Sequence, residues 1–230
     1  MTSGVSTSKR YQSFLEKHPV RTFKKGEIII FHGVAPRATF VVKEGIVKAY
    51  NLSVSGDEKP FCCHAPGSVF PSAWVYGKTP SAIYYYEAFT PSAVLYTINR
   101  DEYVAFIKSS PELMYQELDR HLRDELGYSM RLNALQHSRA SDKLLYTLHY
   151  LALSNGRKVG PQLIEIELDL THQDFANLTG LTRETAATEL NKLKHKGVIS
   201  YDKHTRYRLN LTALMQTLND QYIADIQVTL

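Results

Sequence analysis

The side chains with the most specific chemistry are an adjacent arginine and glutamate, Arg183 and Glu184, at the start of a helical pattern. A guanidinium can donate two hydrogen bonds to one guanine, and a carboxylate can accept one from the amino group of cytosine. At the N-terminal end of an exposed helix, such a pair can reach base edges in the major groove. We therefore predict that Arg183 and Glu184 read bases in duplex DNA.

Two short helices joined by a tight turn are predicted to position this pair. Thr171 and Thr182 are good N-caps, and Asp174 places a negative charge in the first turn of the first helix. Gly180 supplies a left-handed residue for the turn. Apolar residues recur at helical spacing in the second helix and should face the core: Ala186, Leu190 and Leu193. The segment has the pattern of a helix-turn-helix.

Two β-prone runs, residues 198–201 and 207–209, flank a polar turn directly after the second helix. They predict a hairpin, which at this place is the wing of a winged helix. Positive charges on the second helix and the wing are predicted to contact DNA phosphates: Lys192, Lys203 and Arg206. The alternative is an ordinary helical pair with a solvated basic face, but the two caps, the turn glycine and the wing together favour DNA binding.

The composition sets looser bounds on the class of protein. With 230 residues, of which 43% are hydrophobic and 22% charged, the chain fits one large or two modest globular domains. No apolar run approaches the ~20 residues that cross a bilayer, and the polar N-terminus does not resemble a signal peptide. The two cysteines, Cys62 and Cys63, suit a reducing compartment. We expect a cytoplasmic protein without membrane contact.

Three parts follow one another along the chain. Short runs rich in Val, Ile, Tyr and Phe between about residues 20 and 100 predict a small barrel or sandwich. Residues 111–138 predict one long helix, and a further helix and the winged module follow from about residue 141. We therefore predict an α+β chain divided at residues 1–110, 111–140 and 141–230.

The long helix carries an apolar row at four-residue spacing that requires burial. Its members are Met114, Leu118, Leu122, Leu126 and Met130. The row could pack on its own β-domain, but a helix that joins two domains usually lacks that much covering surface. We favour pairing with the same helix of a second copy, because a homodimer presents two recognition helices to successive major grooves.

Two groups of segments resemble one known family. The opening hairpins of the cyclic-nucleotide-binding β-roll are matched by residues 23–29, 32–33 and 39–48. The helix-turn-helix of the same family is matched by residues 170–176 and 180–185. The order of the parts resembles the Crp/Fnr superfamily of bacterial transcription regulators. The resemblance implies an N-terminal double-stranded β-roll of cupin-like topology, a long dimerisation helix and a C-terminal winged helix-turn-helix.

The resemblance also assigns roles to individual residues. Arg183 and Glu184 fall at base-reading positions, but the next such position, usually arginine, is here Thr188. Thr188 can contact a thymine methyl group or a phosphate but cannot make the bidentate guanine contact. Positions that touch phosphate in the family are occupied by Thr171, His172, Gln173 and Thr182. The implied partners are double-stranded DNA, a second copy of the chain and RNA polymerase.

The ligand pocket departs from the members of the family that bind cyclic AMP. Their Gly-Glu pair is replaced by Pro71-Ser72, and their phosphate-binding arginine falls near residues 82–83. No Arg or Lys lies between Lys78 and Arg100. Because a buried cyclic phosphate without a cation is costly, we predict that cyclic AMP does not bind tightly.

Aromatic residues crowd the same region. They could fill the interior as core, which we favour, or they could line a pocket for a flat or apolar effector whose identity the sequence does not give. The candidate pocket residues are Phe70, Ser72, Trp74, Tyr84 and Tyr86.

Redox and catalytic chemistry are weaker alternatives. Cys62-Cys63 could sense oxidants, but a vicinal disulfide is strained and two buried thiols are the simpler interpretation. His32 and His64 could suggest a cupin-like metalloenzyme, yet they lack a metal-ligand spacing. We predict no catalysis, no metal and no cofactor. A third alternative is a ligand- or redox-sensing scaffold whose winged helix contacts protein.

Overall fold

The computed structural model describes residues 9–201 and 206–218. The chain divides into two compact units, and the boundary between them lies between Asp124 and Glu125. We call them the N-terminal unit and the C-terminal unit. In the part of the chain that is described, no helix is long and apolar enough to cross a membrane.

The N-terminal unit contains two four-stranded antiparallel sheets. Their strand orders are β1-β8-β3-β6 and β2-β7-β4-β5. The strands are β1 (Val20–Lys24), β2 (Ile28–Ile30), β3 (Thr39–Glu44), β4 (Val47–Leu52), β5 (Glu58–His64), β6 (Val69–Phe70), β7 (Tyr85–Ala88) and β8 (Ser92–Ile98). The β-rich region between residues 20 and 100 is therefore confirmed.

Helices cover one face of the first sheet. They are α1 (Lys9–Leu15), α2 (Ser72–Val75), α3 (Arg100–Lys108) and the first part of α4 (Pro111–Gln136), whose residues from Glu125 belong to the C-terminal unit. Val41 of β3 and Ile98 of β8 belong to one buried cluster with Leu15, Ile107 and Leu113 of the helices. Strand β3 is consequently buried on both faces, which explains its unbroken apolar run rather than an alternating one.

The C-terminal unit contains the later helices and a third antiparallel sheet. Its elements after α4 are α5 (Ala140–Asn155), β9 (Gly156–Gly160), β10 (Leu163–Asp169), α6 (His172–Thr179), α7 (Arg183–His195), β11 (Ile199–Tyr201), β12 (Arg206–Asn210) and α8 (Leu211–Leu218). The strand order is β11-β12-β10-β9. The predicted long helix, helix-turn-helix and wing hairpin are all present.

The hairpin β9–β10 is an addition to the elements predicted after about residue 141, which are a helix and the winged module. The sequence contains the signal in the alternation of buried Ile164, Ile166 and Leu168 with Glu165 and Glu167. Gly156 begins β9 directly after α5. A Cβ there would lie 2.1 Å from the carbonyl oxygen of Ala152, so only glycine allows this close approach.

The apolar row of α4 divides into an exposed and a buried part. Met114, Leu118, Leu122 and Leu126 are 52%, 53%, 54% and 48% exposed. Met130 is only 9% exposed, and Ala134 packs with Tyr146, Met215 and Leu218 inside the C-terminal unit. Met130 therefore offers little surface to a second copy, whereas the four earlier members of the row, from Met114 to Leu126, remain uncovered in a single chain.

Candidate nucleic-acid interface

The first helix of the helix-turn-helix begins with a capping box. The Thr171 hydroxyl accepts a hydrogen bond from the Asp174 backbone amide at 3.2 Å, and the Asp174 carboxylate accepts one from the Thr171 amide at 2.7 Å. The reciprocal pair satisfies two amides that a helix start leaves free. At the other end, Gly180 adopts the left-handed conformation with φ 69° and ψ 22°. Both local predictions are confirmed.

The second helix, α7, presents the predicted base-reading residues on the surface. The Thr182 side chain accepts a hydrogen bond from the Thr185 amide at 3.2 Å, which fixes the start of the helix. Ala186, Leu190 and Leu193 are buried, as their spacing predicts. The opposite face leaves three side chains exposed at the first two turns: Arg183, Glu184 and Thr188.

The predicted phosphate-contacting cations are paired within the chain. Lys192 lies 2.6 Å from the Glu189 carboxylate, and Arg206 lies 3.1 Å from that of Asp169. Exposed pairs of this kind are worth at most about 1 kcal/mol, so a phosphate can compete for either cation. Lys203 falls outside the described residues.

The predicted polar phosphate contacts are also exposed or half-buried. Gln173 is exposed and donates to the Asn177 side chain at 2.9 Å, and His172 is half-buried with its ring against that of Tyr201. The hydroxyls of Thr171 and Thr182 act as helix caps. All four side chains remain accessible enough for an additional partner, and their contacts with phosphate stay a prediction.

The wing is fixed to the first helix by aromatic packing. Strand β11 pairs with β12 in the register Ile199↔Leu209 and Tyr201↔Tyr207. Tyr207 is 1% exposed, and its ring lies 4.9 Å from the ring of Phe175 in α6. Burial raises the pKa of the Tyr207 hydroxyl. The wing strands therefore hold their position relative to α6 without a ligand.

A contact between the wing and α7 was missed by the sequence analysis. The Tyr201 hydroxyl donates to the side-chain oxygen of Asn191 at 3.0 Å, and the Lys194 ammonium lies 4.1 Å from the centre of the Tyr201 ring. Tyr201 and Asn191 are ten residues apart in sequence and lie on different elements, β11 and α7. Helical spacing alone could place Asn191 on the outer face but could not reveal its partner.

The sheet of the C-terminal unit carries a further charged cluster that spacing did not predict. Glu165 is 6% exposed, although it lies on a strand face between two arginines. Its carboxylate accepts from Arg157 and from Arg208, each at 2.9 Å. Paired on both sides, the buried carboxylate ties β9, β10 and β12 together at the base of the wing.

The candidate effector residues of the N-terminal unit lie mostly in an aromatic stack. Phe70 is fully buried and Tyr86 is 5% exposed, and their rings lie 5.0 Å apart. Tyr84 stacks on Phe61 at 4.5 Å, and the Arg100 guanidinium lies over the ring of Trp74. Ser72 begins α2. Phe70 and Tyr86 therefore act as core residues in this state.

A buried ionic cluster on α4 lies in the same unit, and sequence spacing gave no sign of it. The Glu117 carboxylate pairs with Arg120 and accepts hydrogen bonds from the Tyr76 and Tyr103 hydroxyls. Burial would raise the pKa of Glu117, but the hydrogen bond from His121 and the charge of Arg120 outweigh it and lower this pKa. The carboxylate is therefore ionised inside the fold.

The two cysteine side chains lie in different settings. Cys62 is buried with its sulfur 3.6 Å from the Nε2 atom of His64, and Cys63 is half-buried. Burial, together with the charge of Arg120, lowers the pKa of His64 to about 4. A neutral imidazole does not supply the positive charge that would stabilise a thiolate. Among the described residues, no group of three or more metal-ligating side chains occurs.

Comparison with known proteins agrees with this architecture. Residues 20–110 match the cyclic nucleotide-binding domain, and residues 142–217 match the Crp-like helix-turn-helix domain. The global nitrogen regulator of Synechocystis sp. is 28% identical over 209 residues, which cover 90% of this chain and 92% of that protein. The cyclic AMP receptor protein of Thermus thermophilus is 26% identical over 185 residues, covering 78% of each.

Solved structures share the fold. A transcriptional regulator of the CRP family from Thermus thermophilus has a TM-score of 0.68 to this chain at 21% identity, covering 87% of this chain and 97% of that one. The similar proteins are transcription regulators and not enzymes. With both domains matched in the expected order, the chain belongs to the Crp/Fnr superfamily and is a DNA-binding transcription regulator.

Proposed function

We propose that the protein binds a near-palindromic DNA site as a homodimer and reads it with the N-terminal end of α7. The observation that carries the proposal is the exposed Arg183–Glu184 pair at a helix start that Thr182 caps. Arg183 donates to a guanine, Glu184 accepts from a cytosine, and Thr188 contacts a methyl group or a phosphate. Each good base contact discriminates by roughly 1–3 kcal/mol.

Phosphate contacts position this reading head on the duplex. The proposed contacts are Thr171, His172, Gln173, Thr182, Lys192, Lys203 and Arg206. Contacts with phosphates carry no direct sequence information, but they release counterions and make binding strongly dependent on salt.

The uncovered part of α4 supports the homodimer. Four large apolar side chains, Met114, Leu118, Leu122 and Leu126, are each about half exposed along three turns of one helix face. Pairing this face with its copy removes the apolar surface from water, which is worth roughly 25 cal/mol per Å². Two recognition helices then face grooves about one helical turn of DNA apart.

The proposed regulator does not use cyclic AMP as its effector. The segment from Pro71 to Ile83 contains neither the acidic residue nor the arginine of the nucleotide-binding members, and Phe70 and Tyr86 fill the adjacent interior. An effector, if the protein has one, must displace aromatic side chains or bind where Ser72, Trp74 and Tyr84 are half-buried. RNA polymerase is the proposed protein partner, and the cytoplasm, where the bacterial chromosome lies, is the proposed location.

Selection of bound duplexes from a random pool tests this function. The wild-type protein should enrich a near-palindrome whose half-site centres lie about 10–10.5 base pairs apart. Arg183→Ala should enrich a degenerate site, while Arg37→Ala, which removes an exposed arginine of the N-terminal unit, should enrich the same site as the wild type. If the wild type enriches no sequence at low salt, the winged helix serves another partner, as in the scaffold alternative.

A further inference from the structure

Asn191, an exposed polar residue on α7, has a side chain that is oriented by a hydrogen bond from the wing. Asn191 follows Glu184 and Thr188 on the outer face of the helix, at intervals of four and three residues. Eight residues separate it from Arg183, which corresponds to about 12 Å along the helix axis. It therefore belongs to the same surface as the proposed reading residues but lies far from the helix tip.

The contact with Tyr201 determines which way the Asn191 amide points. The Tyr201 hydroxyl donates to Oδ1 of Asn191 at 3.0 Å, so this oxygen faces the wing. No hydrogen bond within the described residues uses the amide nitrogen Nδ2 of Asn191, and the residue is exposed. Asn191 consequently has both N–H donors of Nδ2 available, while its oxygen already accepts one hydrogen bond from the wing.

Tyr201 is held on several sides. Its ring lies 4.8 Å from the buried Tyr207 ring and 6.4 Å from the His172 ring, and the Lys194 ammonium lies 4.1 Å from its centre. A side chain fixed in this way loses little further freedom when DNA binds. The hydroxyl that orients Asn191 is thus in place before the DNA arrives.

We propose that Asn191 donates a hydrogen bond from Nδ2 to a DNA phosphate, with Tyr201 as the residue that positions it. The proposal rests on the proposed function, because it places α7 in the major groove. An asparagine that reads adenine aligns both its oxygen and its nitrogen with one base edge, and here the oxygen faces the hydroxyl of Tyr201 on the wing. The groove is about 12 Å wide, so a residue about 12 Å from the inserted tip lies at the groove edge, where phosphates accept hydrogen bonds.

Affinity measurements on the selected site test the proposal with full-length variants. Asn191→Ala should weaken binding about tenfold, because a hydrogen bond to a charged acceptor is lost. Asn191→Asp retains an acceptor for Tyr201 but turns a carboxylate toward the phosphate, so we expect a loss of about a hundredfold or more. Ser200→Ala, which truncates an exposed neighbour on β11, is the matched control and should bind like the wild type.

A double-mutant cycle isolates the positioning role of Tyr201. Tyr201→Phe keeps the ring but removes the hydroxyl, and should weaken binding about threefold, an effect of the size expected for a lost neutral hydrogen bond. The same change in an Asn191→Ala background should have no effect on affinity. A merely structural role of the hydroxyl would instead give the same loss in both backgrounds and would overturn the positioning assignment.

Neutral phosphates provide a second readout, which alters the DNA and locates the phosphate that Asn191 contacts. Methylphosphonate placed at each phosphate of the site in turn should reveal one position in each half-site where the wild type loses affinity and Asn191→Ala does not. If the Asn191→Ala loss occurs only with one particular base pair, or if this variant binds as well as the wild type, the inference fails. A wild type that enriches no site at all instead overturns the proposed function.

Discussion

The helix-turn-helix of the C-terminal unit and the buried Glu117 cluster of the N-terminal unit build their polar contacts in opposite ways. In the helix-turn-helix, the groups that fix the starts of α6 and α7 are neighbours in sequence: Thr171 with Asp174, and Thr182 with Thr185. In the N-terminal unit, Glu117 of α4 gathers the hydroxyls of Tyr76 and Tyr103, which come from the end of α2 and from α3. The local caps leave the charged side chains of Arg183 and Glu184 exposed on the surface. In the Glu117 cluster, by contrast, the charges pair with one another inside the fold. The first arrangement suits recognition and the second suits stability.

The largest effect should follow from disrupting the exposed face of α4. Leu122→Glu places a charge in the proposed dimer contact at a residue that is 54% exposed in one chain. The isolated chain should fold normally, but sedimentation should show a monomer, and binding to the full palindrome should fall to that of a half-site. Gln116→Glu, on another face of the helix, should leave both unchanged. A Leu122→Glu protein that remains dimeric would place the dimer contact elsewhere.

Breaking the buried cluster should cost stability without touching DNA recognition. Glu117→Gln leaves the charge of Arg120 without its carboxylate, and we expect the free energy of unfolding to fall by about 3 kcal/mol or more. Urea unfolding followed by the fluorescence of the single tryptophan, Trp74, reports on this unit. Glu125→Gln, at an exposed position, is the control. A loss below about 1 kcal/mol would mean that the cluster contributes little.

Acid should destabilise the C-terminal unit through one buried histidine. His149 is fully buried, neither ring nitrogen has a partner among the described residues, and burial lowers its pKa to about 4. Because the unfolded chain binds this proton near pH 6.5 and the folded chain does not, stability falls as the pH drops from about 6.5 towards 4.

Urea unfolding followed by circular dichroism tests this dependence. Between about pH 7.5 and 5.0, His149 should account for a loss of about 2 kcal/mol. His149→Leu should remove that part of the pH dependence, whereas His32→Leu, at an exposed residue, should retain it. An unchanged pH dependence in His149→Leu would show that other groups cause the acid sensitivity.

Variants of a base-reading residue and of a phosphate-contacting residue should have different effects on DNA binding. Arg183→Ala should weaken binding to the selected site by roughly ten- to a hundredfold and relax the preference at one base pair, since it removes a bidentate contact. Lys203→Ala, as a phosphate contact, should weaken binding evenly across sequences. Titration of labelled duplexes that differ by single base pairs distinguishes the two patterns. The same pattern for both variants would contradict the assignment.

The smallest effect expected is the response to cyclic AMP. Calorimetry should detect no saturable heat at micromolar nucleotide, because the position of the phosphate-binding arginine, near residues 82–83, holds no cation and no Arg or Lys lies between Lys78 and Arg100. The cyclic AMP receptor protein of Thermus thermophilus, which is 26% identical, serves as the positive control. Saturable micromolar binding would show that another residue supplies the charge, and Arg120 would then be the first candidate.

The sequence alone predicted the features that depend on short-range patterns. The capping threonines, Gly180 and the buried row of α7 are all set within a few residues of one another, so spacing was sufficient. It did not reveal the contact between Tyr201 and Asn191 or the cluster around Glu117, because each joins separate elements of the fold. The division of the α4 row, in which Met130 is buried and Leu126 is not, likewise depends on packing inside the C-terminal unit.

The central claim is that Arg183 donates to a guanine in each half-site. Methylation interference at guanine N7 tests it most directly, because a methylated N7 can no longer accept a hydrogen bond from the guanidinium. On the selected site, the wild type should lose binding when one guanine in each half-site is methylated, with the two half-sites about one helical turn apart. Arg183→Ala should be insensitive to methylation at the same guanines. Interference that persists unchanged in Arg183→Ala, or that occurs at no guanine, would contradict the account.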